Sequence, residues 1–299
     1  MVYIHHLRYI QNLLAISLHG ILLLLAKTLG NQMELIQESI IHNIFQSSAN
    51  PYNDFLNYFL SIQIPILETR LAISQTIYRA RYSEPDTSLN EYSEYIYPPS
   101  NNSFSRIGIP GDIWFYGSDN KIACIAEMLP FWYNNFELGS SIKVSFGFWQ
   151  IRQPVNVLVI PDLELKNEIA KAMKLNERYS EIDRKFWNYI SPYFYESTKT
   201  NPNIYKLTSA LISSLIIRSE LTDNKIDGIA YPSVQHREKT NVALKPSVID
   251  NHQLVFKKAV DMIFNKHKIL NTSGLPNYFG PSDEREGTLN RKTQKIEWL

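Results

Sequence analysis

Residues 106–127 read Arg-Ile-Gly-Ile-Pro-Gly-Asp-Ile-Trp-Phe-Tyr-Gly-Ser-Asp-Asn-Lys-Ile-Ala-Cys-Ile-Ala-Glu and pack the signals for a turn, a strand and a helix into one short span. Arg106 follows the Ser/Asn-rich loop Asn101 to Ser105, and a Gly-Pro-Gly-containing turn comes next. Ile113 to Tyr116 is predicted to be a short aromatic strand, which the polar residues Gly117 to Lys121 break. Ile122, Ile125 and Ala126 then fall at helical spacing on a segment that carries Glu127. Reactive side chains held at the ends of rigid elements are where function concentrates. The stretch therefore reads as half of an active site.

Upstream, residues 1–66 are predicted to be helical. Tyr9 to Leu29 ends at a plausible glycine cap, Gly30, and Gln32 to Phe45 places Met33, Ile36, Ile40, Ile41 and Ile44 on one face. Ser47 to Pro51 breaks that helix, and a third is expected through Phe55, Tyr58 and Phe59. Gln75 to Tyr82 alternates like a strand with Arg79 and Arg81 on one side. Ser83 to Asn102 is expected to be a long loop. Downstream, strands are predicted at Ser141 to Ile151, Val155 to Ile160, Asp227 to Val234, Asn241 to Leu244 and Gln253 to Ile263, and helices at Leu163 to Met173, Ile182 to Tyr195 and Tyr205 to Leu221. This order implies α+β rather than a regular βαβ array. The expected organisation is a small all-helical N-terminal subdomain (1–66), a core domain (67–268) and an irregular C-terminal tail (269–299) that is rich in Gly, Ser, Asn and charge.

Apolar content of 44% with 20% charged residues describes a globular chain, and a formal charge of +1 argues against direct binding to nucleic acid. Any anion site must be local. Cys124 is the single cysteine, so an intramolecular disulfide and a thiolate zinc site are both excluded, and a reducing, cytoplasmic setting is expected. No metal is expected, since His5, His6 and His42 lack metal-ligand spacing with carboxylates. Leu13 to Ala26 is very apolar but shorter than a bilayer span. It is read as a buried helix, with a signal peptide or membrane anchor as the alternatives.

No dinucleotide-binding glycine fingerprint, P-loop, nucleophile elbow or zinc-protease motif occurs. What remains is an ordered set: Tyr78-Arg79, Arg106 before its turn, Phe115-Tyr116-Gly117-Ser118, Ala126-Glu127, Asp227-Gly228-Ile229 leading to Tyr231-Pro232-Ser233-Val234, and Asn241-Val242-Ala243-Leu244. Between Ile73 and Ile263 this order resembles the RES domain family, named for an Arg, a Glu and a Ser, which Arg79, Glu127 and Ser233 match. Family members usually have Gly-Arg or Asn-Arg where this chain has Ser105-Arg106.

The resemblance implies a mixed or antiparallel sheet similar to that of ADP-ribosyltransferases, with surrounding helices and NAD⁺ as substrate. It implies cleavage of the nicotinamide–ribose bond by hydrolysis or phosphorolysis, with inorganic phosphate as an optional co-substrate and no required cofactor. Family members are often toxins restrained by an antitoxin, and some transfer ADP-ribose to a protein instead. By the same match Glu127, Arg79, Tyr116 and Ser233 are expected to be catalytic, and Tyr78, Arg79, Arg106, Tyr116, Ser233 and Asn241 to bind NAD⁺. Residue chemistry is consistent with this: a carboxylate suits a transition state with oxocarbenium character, and arginine suits a pyrophosphate. Ser233 has no histidine placed to activate it, so a hydrogen-bonding role is expected. A homo-oligomer is compatible with the sequence, as is a non-catalytic interaction module built on the N-terminal helices.

Overall fold

The structure, a computed structural model, describes residues 38–84, 86–98, 102–135, 137, 139–164, 171, 173–174, 177, 179–196, 201–221, 224–266 and 279–299. The chain is α+β, and its described residues form ten strands in one mixed sheet. The strands are β1 (Glu68–Leu71), β2 (Thr76–Ser83), β3 (Phe115–Ser118), β4 (Ser141–Ile151), β5 (Val155–Val159), β6 (Gly228–Pro232), β7 (Thr240–Leu244), β8 (Leu254–Lys266), β9 (Phe279–Asn290) and β10 (Lys295–Trp298). The helices are α1 (38–47), α2 (Pro51–Ser61), α3 (Ser93–Ile96), α4 (Lys121–Asn135), α5 (Glu181–Ile190), α6 (Ile204–Leu221) and α7 (Pro246–Asp250), with a 3₁₀ turn at Ser191–Phe194. The expected helices at Tyr9 to Leu29 and Leu13 to Ala26 lie outside the described residues, and so does most of Leu163 to Met173.

The strands run in the order β1-β5-β6-β7-β3-β2-β4-β8-β9-β10, and among the described residues only β5 and β6 are parallel. A parallel pair needs a long crossover, and α5, the 3₁₀ turn and α6 supply it. Local chemistry sets these helices. Ser180 and Asp183 form a reciprocal capping box at the start of α5, and Pro51 follows the capping Asn50 at the start of α2. Phe55 and Phe59 of α2, Leu207 and Leu211 of α6, and Trp149 of β4 are buried in one continuous core. Trp149 meets Phe115 and Phe256 edge-on, with ring centres 5.1 and 5.2 Å away. A second, smaller cluster on the other face packs Cys124 against Val144, Phe146 and Val260.

The sheet has one weak seam. β2 pairs with β4 over eight consecutive positions, but it meets β3 only at Tyr78 opposite Ser118. Two well-paired halves are thus joined at a single residue pair. Gly117 is required there, because a Cβ would stand 2.9 Å from the Tyr78 carbonyl oxygen and 2.6 Å from Ile77.

The expected irregular tail is corrected in its second half. Phe279–Asn290 pairs antiparallel with β8, and Lys295–Trp298 pairs back onto β9. Glu284, Arg285 and Glu286 face solvent on this flank of the sheet, so charge hides the alternation of the strand. Its hydrogen bonds come from the neighbouring strands β8 and β10, which the periodicity of the segment alone does not register. The long loop after β2 is also tied down here: the Ile296 amide donates to the Asn90 carbonyl at 2.7 Å, and the Tyr92 amide donates to the Gln294 carbonyl at 2.9 Å. Ile296 is buried in the main core. Ile296→Ala is therefore expected to cost about 2–4 kcal/mol, read from the urea midpoint; an irregular tail would lose nothing measurable. Among the described residues, no helix is long and apolar enough to cross a membrane.

Candidate functional site

Where β2 and β3 part, Arg79, Arg106, Tyr116, Glu127, Tyr231 and Asn241 line a cavity of about 200 Å³, together with Ala80, Gly117, Cys124 and Met128. Small-molecule sites usually offer ~300–1,000 Å³, so this space suits a small group or part of a larger ligand.

Glu127 comes from α4. The Asn120 side chain caps the start of that helix, accepting from the Ile122 and Ala123 amides at 2.9 and 3.2 Å. Helical spacing then sets Ala123, Cys124 and Glu127 on the face toward the sheet. Oε1 of Glu127 accepts three hydrogen bonds, from Ser233 Oγ at 2.6 Å, the Val234 amide at 2.8 Å and Asn241 Nδ2 at 2.9 Å. All three donors come from β7 or from the turn between β6 and β7. Oε2 has no hydrogen-bond partner among the described residues. One oxygen anchors the carboxylate and the other is available to a ligand.

Ser233 is wholly buried, and its Oγ also accepts the His236 amide at 3.1 Å. Its proton is committed to Glu127, as expected of a positioning hydroxyl rather than a nucleophile. Register explains how Asn241 arrives: it lies opposite Ser118 on one side and Tyr231 on the other.

Arg79 is 6% exposed and forms no ion pair among the described residues. Its guanidinium donates to the Tyr116 carbonyl at 2.9 Å and lies 5.5 Å from the Phe115 ring centre, while its Nε is buried without a partner. Burial, with help from Arg81, lowers its pKa to about 10, so it remains a cation at neutral pH. Arg106 sits over the Tyr205 ring at 5.5 Å and makes no hydrogen bond among the described residues, with its Nε also buried and unpartnered. Among the described residues neither guanidinium pairs with a carboxylate, so two cations face one cavity and are placed to meet an anion.

The Tyr116 hydroxyl lies 3.1 Å from Ser105 Oγ, which also accepts the Gly108 amide at 2.8 Å. Burial pushes the Tyr116 phenol up, so its hydroxyl stays neutral. The turn at Pro110 closes with an Asp112 amide to Ile109 carbonyl bond of 3.1 Å, and Gly111 takes the positive φ of 91°. Cys124, one helical turn before Glu127, has its thiol pushed up to about 12 by burial and by Glu127. It is expected to resist iodoacetamide in the native protein at neutral pH and to react fully after unfolding, as read by mass spectrometry. Rapid native labelling would show that this wall of the cavity opens.

The structure brings Arg79, Arg106, Tyr116, Glu127, Ser233 and Asn241 together. Tyr78 is on the face of β2 opposite Arg79, where its ring meets Phe148 at 5.1 Å beside the Cys124 cluster, and it does not line the cavity, although Ala80 on the same face does. Neighbours in a strand point opposite ways, so Arg79 and Tyr78 cannot share a side. Sequence reasoning did not assign a role to Ser105, Tyr231 or the Val234 amide. The alternation of β6 could have indicated Tyr231; a backbone donor leaves no sequence signal. Comparison of the chain with protein-family models and with curated proteins finds no match.

Proposed function

We propose that the chain cleaves the nicotinamide–ribose bond of NAD⁺ on a core similar to that of ADP-ribosyltransferases. The observation that carries this reading is Glu127: a carboxylate anchored through one oxygen, beside two arginines that have no acidic partner. Glu127 Oε2 faces the reacting ribose and stabilises the positive charge that develops on it as the glycosidic bond lengthens. The C1′–N bond breaks and its electron pair returns to the nicotinamide ring, which leaves neutral. An oxygen of water or phosphate bonds to C1′, giving ADP-ribose with release of a proton, or ADP-ribose 1-phosphate. Arg79 and Arg106 hold the pyrophosphate, and Tyr116 packs against the nicotinamide or its ribose.

The test is free nicotinamide measured after incubating the full-length protein with NAD⁺, with and without phosphate. Release that requires phosphate identifies phosphorolysis, and release without it identifies hydrolysis. Labelled ADP-ribose appearing on a protein would replace this reading with ADP-ribosyltransfer. No release and no label from folded protein would refute it.

A further inference from the structure

Arg237 does not line the Glu127 cavity. It lies in the turn between β6 and β7, and its guanidinium forks onto two carboxylates just beyond the end of β5. One arm reaches Asp162 Oδ1 and the other Glu164 Oε2, both at 3.0 Å. The same group stacks over the Tyr195 ring at 4.4 Å. Asp162 is 1% exposed, so the anchor is rigid. The turn is also closed on itself. The Ser233 amide donates to the Lys239 carbonyl at 2.9 Å, and the Lys239 amide donates to the His236 carbonyl at 2.8 Å. The His236 amide returns to Ser233 Oγ at 3.1 Å. A small rigid loop therefore faces two ways: Arg237 grips the far wall, while Ser233 and Val234 grip Glu127.

We propose that Arg237 is a positioning residue, clamping this turn so that the Ser233 hydroxyl and Val234 amide hold Glu127 Oε1 and aim Oε2 into the cavity. Its catalytic consequence rests on the reading of Glu127 given above; the clamp itself does not. Partly exposed ion pairs add little to stability, whereas a planar guanidinium held by two carboxylates and stacked on a ring fixes geometry.

The test uses three full-length variants: Arg237→Ala, Arg237→Lys, and Arg237→Ala combined with Asp162→Asn. The last removes the buried charge that would otherwise be left unpaired and so preserves folding, which circular dichroism checks. Turnover number for NAD⁺ cleavage is expected to fall on the order of tenfold with KM within about twofold, because the reacting carboxylate is misplaced while the arginines are untouched. Independently, the Val234 amide proton is expected to move upfield and to exchange about tenfold faster, since its bond to a carboxylate is loosened. Lysine, which keeps the charge but loses the fork, should fall between.

A Val234 amide that is unmoved in the folded double variant overturns the clamp. An amide that moves while turnover stays normal overturns the positioning role. If wild-type protein releases no nicotinamide, the enzyme reading fails while the amide still tests the clamp.

Discussion

Glu127→Gln is expected to lower nicotinamide release about 10³-fold while leaving the fold and KM nearly unchanged. Glutamine matches the shape of glutamate, and its amide oxygen can still accept from Ser233, the Val234 amide and Asn241. The hydrogen-bond cradle therefore survives. What disappears is the negative charge that would lie beside the ribose, an interaction that matters most when positive charge develops there. Loss confined to turnover is the signature of a contact made in the transition state. The check is steady-state kinetics beside a thermal melt. A variant that retains more than about a tenth of wild-type turnover would remove Glu127 from the chemistry. A variant that fails to fold would be unexpected, since no packing volume changes.

Arg79→Met is expected to act on two quantities in opposite directions. Burial lowers the Arg79 pKa to about 10, and that shift corresponds to a destabilisation of about 3 kcal/mol while the group stays charged. Its bond to the Tyr116 carbonyl and its contact with Phe115 offset about 1–2 kcal/mol. Methionine fills similar volume without the charge, so the variant is expected to be more stable by about 1–2 kcal/mol at neutral pH. Affinity for NAD⁺ should nevertheless fall about 10²-fold, because the buried cation that would meet the pyrophosphate is gone.

The sign with pH follows from the direction of the shift. The folded protein releases the Arg79 proton near pH 10, below the ordinary guanidinium value, so above that pH the unfolded chain binds more protons. The penalty is fully present below about pH 10 and is relieved as pH rises through it. The advantage of the methionine variant should narrow over the same range. Urea titrations and KM values at neutral pH decide the matter. A variant both less stable and equally tight for NAD⁺ would show Arg79 to be a structural cation rather than a stored ligand site.

Much of the α+β layout was legible because each element carries its own signal. The alternation of β2, the aromatic β3 and the apolar spacing of α6 depend only on neighbouring residues. The strands at the C-terminal flank were not legible. β9 and β10 are charged on the solvent side and obtain their pairing from β8 and from each other, so their order exists only in the assembled sheet. The separation of Tyr78 from Arg79 was implicit in strand alternation, whereas its absence from a cavity that Ala80 of the same face does line depends on the packing of its ring against Phe148. Arg237 had no local mark at all. Its importance comes from Asp162, Glu164 and Tyr195, which are distant in the chain and adjacent in space.

The run from Arg106 to Glu127 shows where the division lies. By itself the sequence determined a turn at Pro110, a short strand and a helix bearing Glu127, since backbone preference and side-chain spacing are local properties. Only the tertiary structure decided that β2 and β3 part after one pair, opening a cavity between them. It alone decided that three donors converge on one oxygen of Glu127, and that Arg79 and Arg106 face the same cavity with no ion pair to a carboxylate among the described residues. Hydrogen-bond convergence and unpaired burial are relations among distant segments, and they come into being only when the sheet closes around them.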